Sequence, residues 1–147
     1  MLAQVDRARL SCRILVVEDD PDDIYLLRRA FRAAGDLAGR TIEIRTVANG
    51  LEALSTLVRH DMLGDLPDIV MLDLNMPVMD GIQFLRAMRG ELSLTSNPAL
   101  PMIVLTTSDQ EAVHDAARQA GATTLFVKPQ SEAALARIAS MVIRHHG

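Results

Sequence analysis

Four short apolar runs of this chain each end on a residue able to handle a phosphoryl group. Ile14–Val17 leads into Glu18-Asp19, Ile69–Leu72 into Asp73, Met102–Leu105 into Thr106, and Thr124–Val127 into Lys128-Pro129. In a sheet of parallel strands these carboxyl ends share one edge, the edge at which open α/β sheets hold their ligands. Three carboxylates, a hydroxyl and an ammonium then meet in one place. Carboxylates so crowded repel: two like charges ~4 Å apart cost about 4 kcal/mol at an effective dielectric of ~20. Such a cluster holds protons or binds a cation, and Mg2+ suits a site where one or two carboxylates meet a phosphoryl oxygen and several waters. Asn75, two residues past Asp73, lies where its backbone carbonyl could add an oxygen ligand. Asp73 is the candidate nucleophile, since an Asp carboxylate attacks phosphorus to give an aspartyl-phosphate. Thr106 and Lys128 fall to the remaining oxygens, where Lys128 and Mg2+ would neutralise transition-state charge.

The elements that must position these residues are legible in the pattern. The strand candidates are β-branched and almost continuously apolar, as strands covered on both faces of a parallel sheet are. Helical periodicity fills the intervals. Ile24, Leu27 and Phe31 give a helix from Pro21 to Ala34, with Asp20 as N-cap, Pro21 at N1 and Gly35 after its end. Thr41–Val47 alternates and reads as the second strand. Asn49-Gly50 is a turn, Leu51–His60 a helix and Asp68–Leu72 the third strand. Gly81–Arg89 is a helix capped by Asp80, and Gly90–Leu100 a polar connection holding Asn97-Pro98. Ser108-Asp109-Gln110-Glu111 spells a capping box for a helix to Ala120, closed by Gly121. Ser131–Arg144 is the final amphipathic helix. Five strands alternating with five helices predict a doubly wound α/β fold with right-handed crossovers, in the flavodoxin-like strand order 2-1-3-4-5. That order sets strands 1 and 3 side by side, so Glu18-Asp19 and Asp73 become neighbours.

Taken singly, most polar residues have plain structural readings. Asp20, Asp22 and Asp23 read as cap and helix-dipole charges, and Asp68 and Asp80 as turn or cap residues. His60, His114, His145 and His146 lack ligand spacing and read as surface. Cys12 reads as a small buried or edge residue. Only the joint pattern at four strand ends carries chemistry.

Bulk properties narrow the field. With 147 residues there is room for one domain. Aromatics make up 3% of the chain, so the core must be aliphatic and the eight Met residues are core filler. The net charge of −4 argues against nucleic acid as a direct partner. A single Cys excludes an intrachain disulfide and fits a reducing cytoplasm. No apolar stretch reaches the roughly 20 residues of a membrane span. Residues 1–10 lack a signal-peptide apolar core and read as a flexible leader to a domain over 11–147.

Four stretches, in order, carry a family resemblance: ILVVEDD at 14–20, MLDLNMPVMDG at 71–81, IVLTTS at 103–108 and FVKP at 126–129. Together they resemble the receiver domain of two-component response regulators. The resemblance implies that Asp73 accepts a phosphoryl group from a sensor histidine kinase. It implies that Glu18, Asp19, Asp73 and the Asn75 carbonyl surround Mg2+, that Thr106 and Lys128 contact the phosphoryl group, and that the Lys128–Pro129 bond is cis. One departure stands out: many receivers carry Tyr or Phe three residues before the Lys, and here that place holds Leu125. Phe126 is adjacent and should point to the opposite sheet face. No output domain follows residue 147, so a stand-alone receiver is expected. Pro21-Asp22-Asp23 and Leu105-Thr106-Thr107-Ser108 are similar to small regulators paired with bacterial phytochrome kinases.

Phosphorylation adds roughly −1.5 to −2 charges. It should draw Thr106 inward, fix Lys128 and re-present the face made by the fourth helix, fifth strand and fifth helix. Exposed members of the apolar stripe Leu135, Ile138 and Val142 there would serve a homodimer. Two rivals remain. A haloacid-dehalogenase-type phosphatase needs an acid two residues after its nucleophile, where this chain has Asn75. A receiver-like adaptor that is never phosphorylated would not need the full acidic set.

Overall fold

A computed structural model describes residues 11–90 and 99–147. The leader over 1–10 and the interior of the polar connection, 91–98, lie outside the described residues. In chain order the elements are β1 (Ser11–Val17), α1 (Pro21–Ala38), β2 (Thr41–Val47), α2 (Gly50–Met62), β3 (Ile69–Leu72), α3 (Gly81–Arg89), β4 (Met102–Thr106), α4 (Glu111–Ala120), β5 (Thr124–Val127) and α5 (Glu132–His146). The strands form one parallel sheet in the order β2-β1-β3-β4-β5, as the alternating pattern predicts.

Register brings the carboxyl ends level. Val17 lies beside both Val47 and Leu72, Leu72 beside Val104, and Thr106 beside Val127. The residues that follow therefore emerge along one edge. Side chains alternate across the sheet and feed two cores. Leu15, Val17, Val70, Leu72, Met102 and Val104 pack with Leu57, Phe84 and Leu85 of α2 and α3. Ile14, Val16, Ile69, Met71, Ile103 and Leu105 pack with Phe31 of α1 and Val142 of α5. β3 is buried at every position, which explains its unbroken apolar run.

Several expectations are corrected. α1 does not stop at Ala34 but runs to Ala38 and closes on Gly39, whose φ of +66° suits a left-handed cap. Gly35 lies within the helix because α1 presses on β2: a Cβ there would stand 2.5 Å from Ile42 Cγ1 and 2.8 Å from the Arg40 carbonyl. α2 starts at Gly50 and runs past His60 to Met62. β3 starts at Ile69, and the Asp68 carboxylate accepts the Arg13 backbone N–H at 2.8 Å. The capping box at Ser108 does not form. Ser108 donates its N–H to the Thr106 hydroxyl, its own hydroxyl accepts from Gln110, and α4 begins only at Glu111. Side-chain turns at these hydroxyls have outcompeted the cap. A capping box does form at Asp80–Gln83.

No peptide bond among the described residues is cis, so Lys128–Pro129 is trans, the form favoured by about 0.5–1 kcal/mol in X–Pro bonds. Leu135, Ile138 and Val142 are all buried against the sheet and α1. The stripe is core, and the exposed large apolar residues of β5 and α5 are Val127 and Met141 instead. No helix of the described residues is long and apolar enough to cross a membrane.

Candidate functional site

Lys128, just past β5, reaches across the carboxyl edge of the sheet. Its ammonium lies 3.0 Å from Asp73 Oδ2, 3.3 Å from Glu18 Oε2 and 2.9 Å from Asp23 Oδ2. Its backbone N–H donates to the Thr106 carbonyl at 2.6 Å, which ties the Lys to the end of β4. Four elements thus converge on one cation.

Each anion is held by local structure. Glu18 is 4% exposed. Its Oε1 accepts the backbone N–H groups of Asp19 and Asp20, at 3.1 and 3.2 Å, where the chain turns into α1. Asp73 is 8% exposed. Its Oδ1 accepts the Asn75 N–H at 3.0 Å, and its own N–H reaches the Val17 carbonyl. Thr106 is fully buried, and its hydroxyl accepts from Ser108 at 3.2 Å. Asp19 and Asn75 are exposed beside this group. Leu125 is half-buried on the α4 side with Val113, while Phe126 packs on the opposite core. The ring therefore does not occupy the place of the missing aromatic.

Burial pushes the Glu18 carboxyl above its ordinary value, and the nearby charge of Asp73 adds to this. The Asp20 N–H and Lys128 oppose the rise without cancelling it. Burial alone would lower the Lys128 ammonium, but hydrogen bonds to Asp23 and Asp73, with the charges of Asp73 and Glu18, hold it above its ordinary range. The group has more carboxylates than the one ammonium can neutralise. Among the described residues no three His, Cys, Asp or Glu side chains close into a metal cage. Mg2+ does not need one: it takes one or two carboxylates and keeps its waters. The all-oxygen donors of Asp19, Asp73 and the Asn75 carbonyl fit that requirement.

A family model described as response regulator receiver domain matches residues 14–140. The chain belongs to this family. The receiver is 32% identical over 143 residues to the transcriptional regulatory protein PrrA of Mycobacterium tuberculosis, an alignment covering 97% of this chain and 54% of PrrA. It spans about half the length of the curated relatives it matches. Among solved structures it resembles the response regulator RPA3017 in red light signaling of R. palustris (29% identity, 89% of this chain and 90% of that one, TM-score 0.75). It also resembles the phosphorylated cyanobacterial phytochrome response regulator RcpA (26%, 90% and 91%, 0.73). A third is the receiver domain of the sensor histidine kinase PA1611 of Pseudomonas aeruginosa, with a magnesium ion coordinated in its active site cleft (26%, 91% and 98%, 0.69).

The structure joins Glu18, Asp73, Thr106 and Lys128, all singled out from sequence. It adds Asp23, which by sequence alone reads as a cap or helix-dipole charge. The signal was present in its position: a first-turn residue of the helix that leaves β1 stands at the same sheet edge as Glu18.

Proposed function

We propose that this receiver accepts a phosphoryl group on Asp73 from the phosphohistidine of a sensor histidine kinase. The observation that carries the reading is the contact of the Lys128 ammonium with Asp73 Oδ2 at 3.0 Å, made beside buried Glu18. In the transfer an Asp73 oxygen forms the bond to phosphorus. The P–N bond breaks, and its electron pair leaves with the imidazole, which takes a proton. Lys128 neutralises charge on the transferring oxygens, and the Asn75 N–H keeps the Asp73 carboxylate oriented. Glu18, Asp19, Asp73 and the Asn75 carbonyl would hold Mg2+, which would supply further charge neutralisation. The metal reading draws support from the magnesium ion in the PA1611 receiver. The phytochrome response regulator RcpA and the red light signaling of RPA3017 favour a bacterial phytochrome as the kinase.

On this reading the protein is a signalling phosphoacceptor and turns over no external substrate beyond its own phosphoryl group. A lone buried Cys fits a cytoplasmic setting. The added charge draws the Thr106 loop inward and alters the α4–β5–α5 face, with Leu125 in place of an aromatic reporter. A homodimer forms through that face only in the phosphorylated state, since its apolar stripe is core and only Val127 and Met141 stand out. Sedimentation should show a monomer that becomes a dimer with beryllofluoride; a dimer in both states, or in neither, removes this part.

The primary test is incubation with acetyl phosphate and Mg2+. The wild type should gain one acid-labile phosphoryl group and Asp73→Asn none. Equal labelling of both would move the site elsewhere, and labelling of neither would favour an adaptor.

A further inference from the structure

Asp23 stands three residues after the N-cap Asp20, where a capping-box side chain would turn back to the cap's own N–H. That N–H is already taken by Glu18 Oε1 at 3.2 Å. The Asp23 carboxylate turns the other way and meets the Lys128 ammonium at 2.9 Å, nearer than either Asp73 or Glu18. An ammonium has three donors, and three carboxylates on three elements claim them.

A phosphoryl group arriving on Asp73 must therefore take a Lys128 donor from a carboxylate that already holds it. Glu18 is buried, and two backbone N–H groups fix its other oxygen. Asp73 is the acceptor itself. Asp23 is 36% exposed and can pass its oxygen to water. We propose that Asp23 is a positioning residue that parks Lys128 in the resting receiver and competes with the phosphoryl group for it. The inference rests on Asp73 being the phosphoacceptor, and it adds a regulatory role that the family motifs do not carry in this sequence.

The test is equilibrium binding of beryllofluoride, with Mg2+ present, to the wild type, Asp23→Asn and Asp23→Glu. Losing a half-exposed ion-pair partner should tighten binding about two- to fivefold in Asp23→Asn. Asp23→Glu should return it to the wild-type value. In a Lys128→Met background the same Asp23→Asn change should alter affinity less than about twofold, since nothing is left to release. A metal-free readout accompanies it: urea unfolding in EDTA of the wild type, Asp23→Asn, Lys128→Met and the double variant should show Asp23→Asn destabilising only when Lys128 is present. A merely structural role for Asp23 would weaken beryllofluoride binding, and that result overturns the proposal. So does an equal gain with Lys128 removed, which would mean charge repulsion alone. If the wild type fails to bind the mimic at all, the phosphoacceptor reading fails, and the outcome is distinct from both.

Discussion

Val78 holds φ at +68° in the loop that follows Asp73, the only non-glycine among the described residues with positive φ. The Met79 N–H closes on the Pro77 carbonyl at 2.7 Å, so Val78 sits at the centre of a γ-turn of the strained hand. A β-branched side chain there is strained by about 1–3 kcal/mol, and no packing offsets it, since Val78 is 76% exposed. Its neighbours over-determine the turn: the Met79 carbonyl accepts from Gly50, and the Leu74 carbonyl from Gly81. Val78→Gly should therefore raise unfolding free energy by about 1 kcal/mol in urea titrations, the relieved strain exceeding the added chain entropy. A loss of stability would mean that Val78 carries no strain that glycine relieves. At this same scale Glu18, Asp73 and Lys128 were readable from sequence, because each directly follows an apolar run. The Val78 turn was not, because nothing in Met76-Pro77-Val78-Met79 spells a left-handed residue.

Elements meet most tightly at two glycines, and only one of those meetings bears on Asp73. At Gly81, which opens α3, a Cβ would stand 2.8 Å from the Asp73 carbonyl and from Leu74 Cα. At Gly35 it would strike Ile42 and the Arg40 carbonyl, far along the chain from the carboxyl edge. Either Gly→Ala change overpacks a rigid contact and should cost about 1–3 kcal/mol. Gly81→Ala should also slow acetyl-phosphate labelling of Asp73, because the clash displaces the end of β3. Gly35→Ala should label at the wild-type rate once folded; equal slowing in both would show that labelling follows stability and not the local backbone. These contacts mark where the sequence stops being legible. The alternation of strands and helices follows from local periodicity, and the strand order and shared edge follow from it through the general rules for doubly wound sheets. The length of α1, the failed cap at Ser108 and the reach of Asp23 to Lys128 depend on which element lies beside which. So does the burial of Leu135, Ile138 and Val142: an amphipathic stripe reads the same whether α1 or a second copy covers it, and here α1 does.

The whole molecule is two cores back to back on one sheet, and Cys12 sits fully buried in the second of them. Burial first, and then the charge of Asp68, push its thiol from an ordinary 9.0 to about 11, with Arg40 opposing. The folded chain thus keeps a proton that the unfolded chain gives up. Where the native state binds more protons, stability falls as pH rises. The contribution of Cys12 is fully present below its unfolded value and is lost as pH climbs from 9 through about 11, an amount on the order of 3 kcal/mol. Lys128 acts in the same sense, since its raised ammonium contributes stability that begins to fade above its ordinary 10.5. Cys12→Ala separates the two. Its stability at pH 8 should fall by about 1 kcal/mol for the lost side chain, yet its decline between pH 8 and 11, followed by urea unfolding, should be visibly shallower than that of the wild type. Parallel declines would mean that the thiol opens to solvent before the fold does. That would require α5 to lift from β1, since Ile143 of α5 shares the buried cluster with Cys12 and a Cβ on Gly147 would stand 3.2 Å from the Cys12 sulfur, and it would make the C-terminal helix the weakest boundary of the second core.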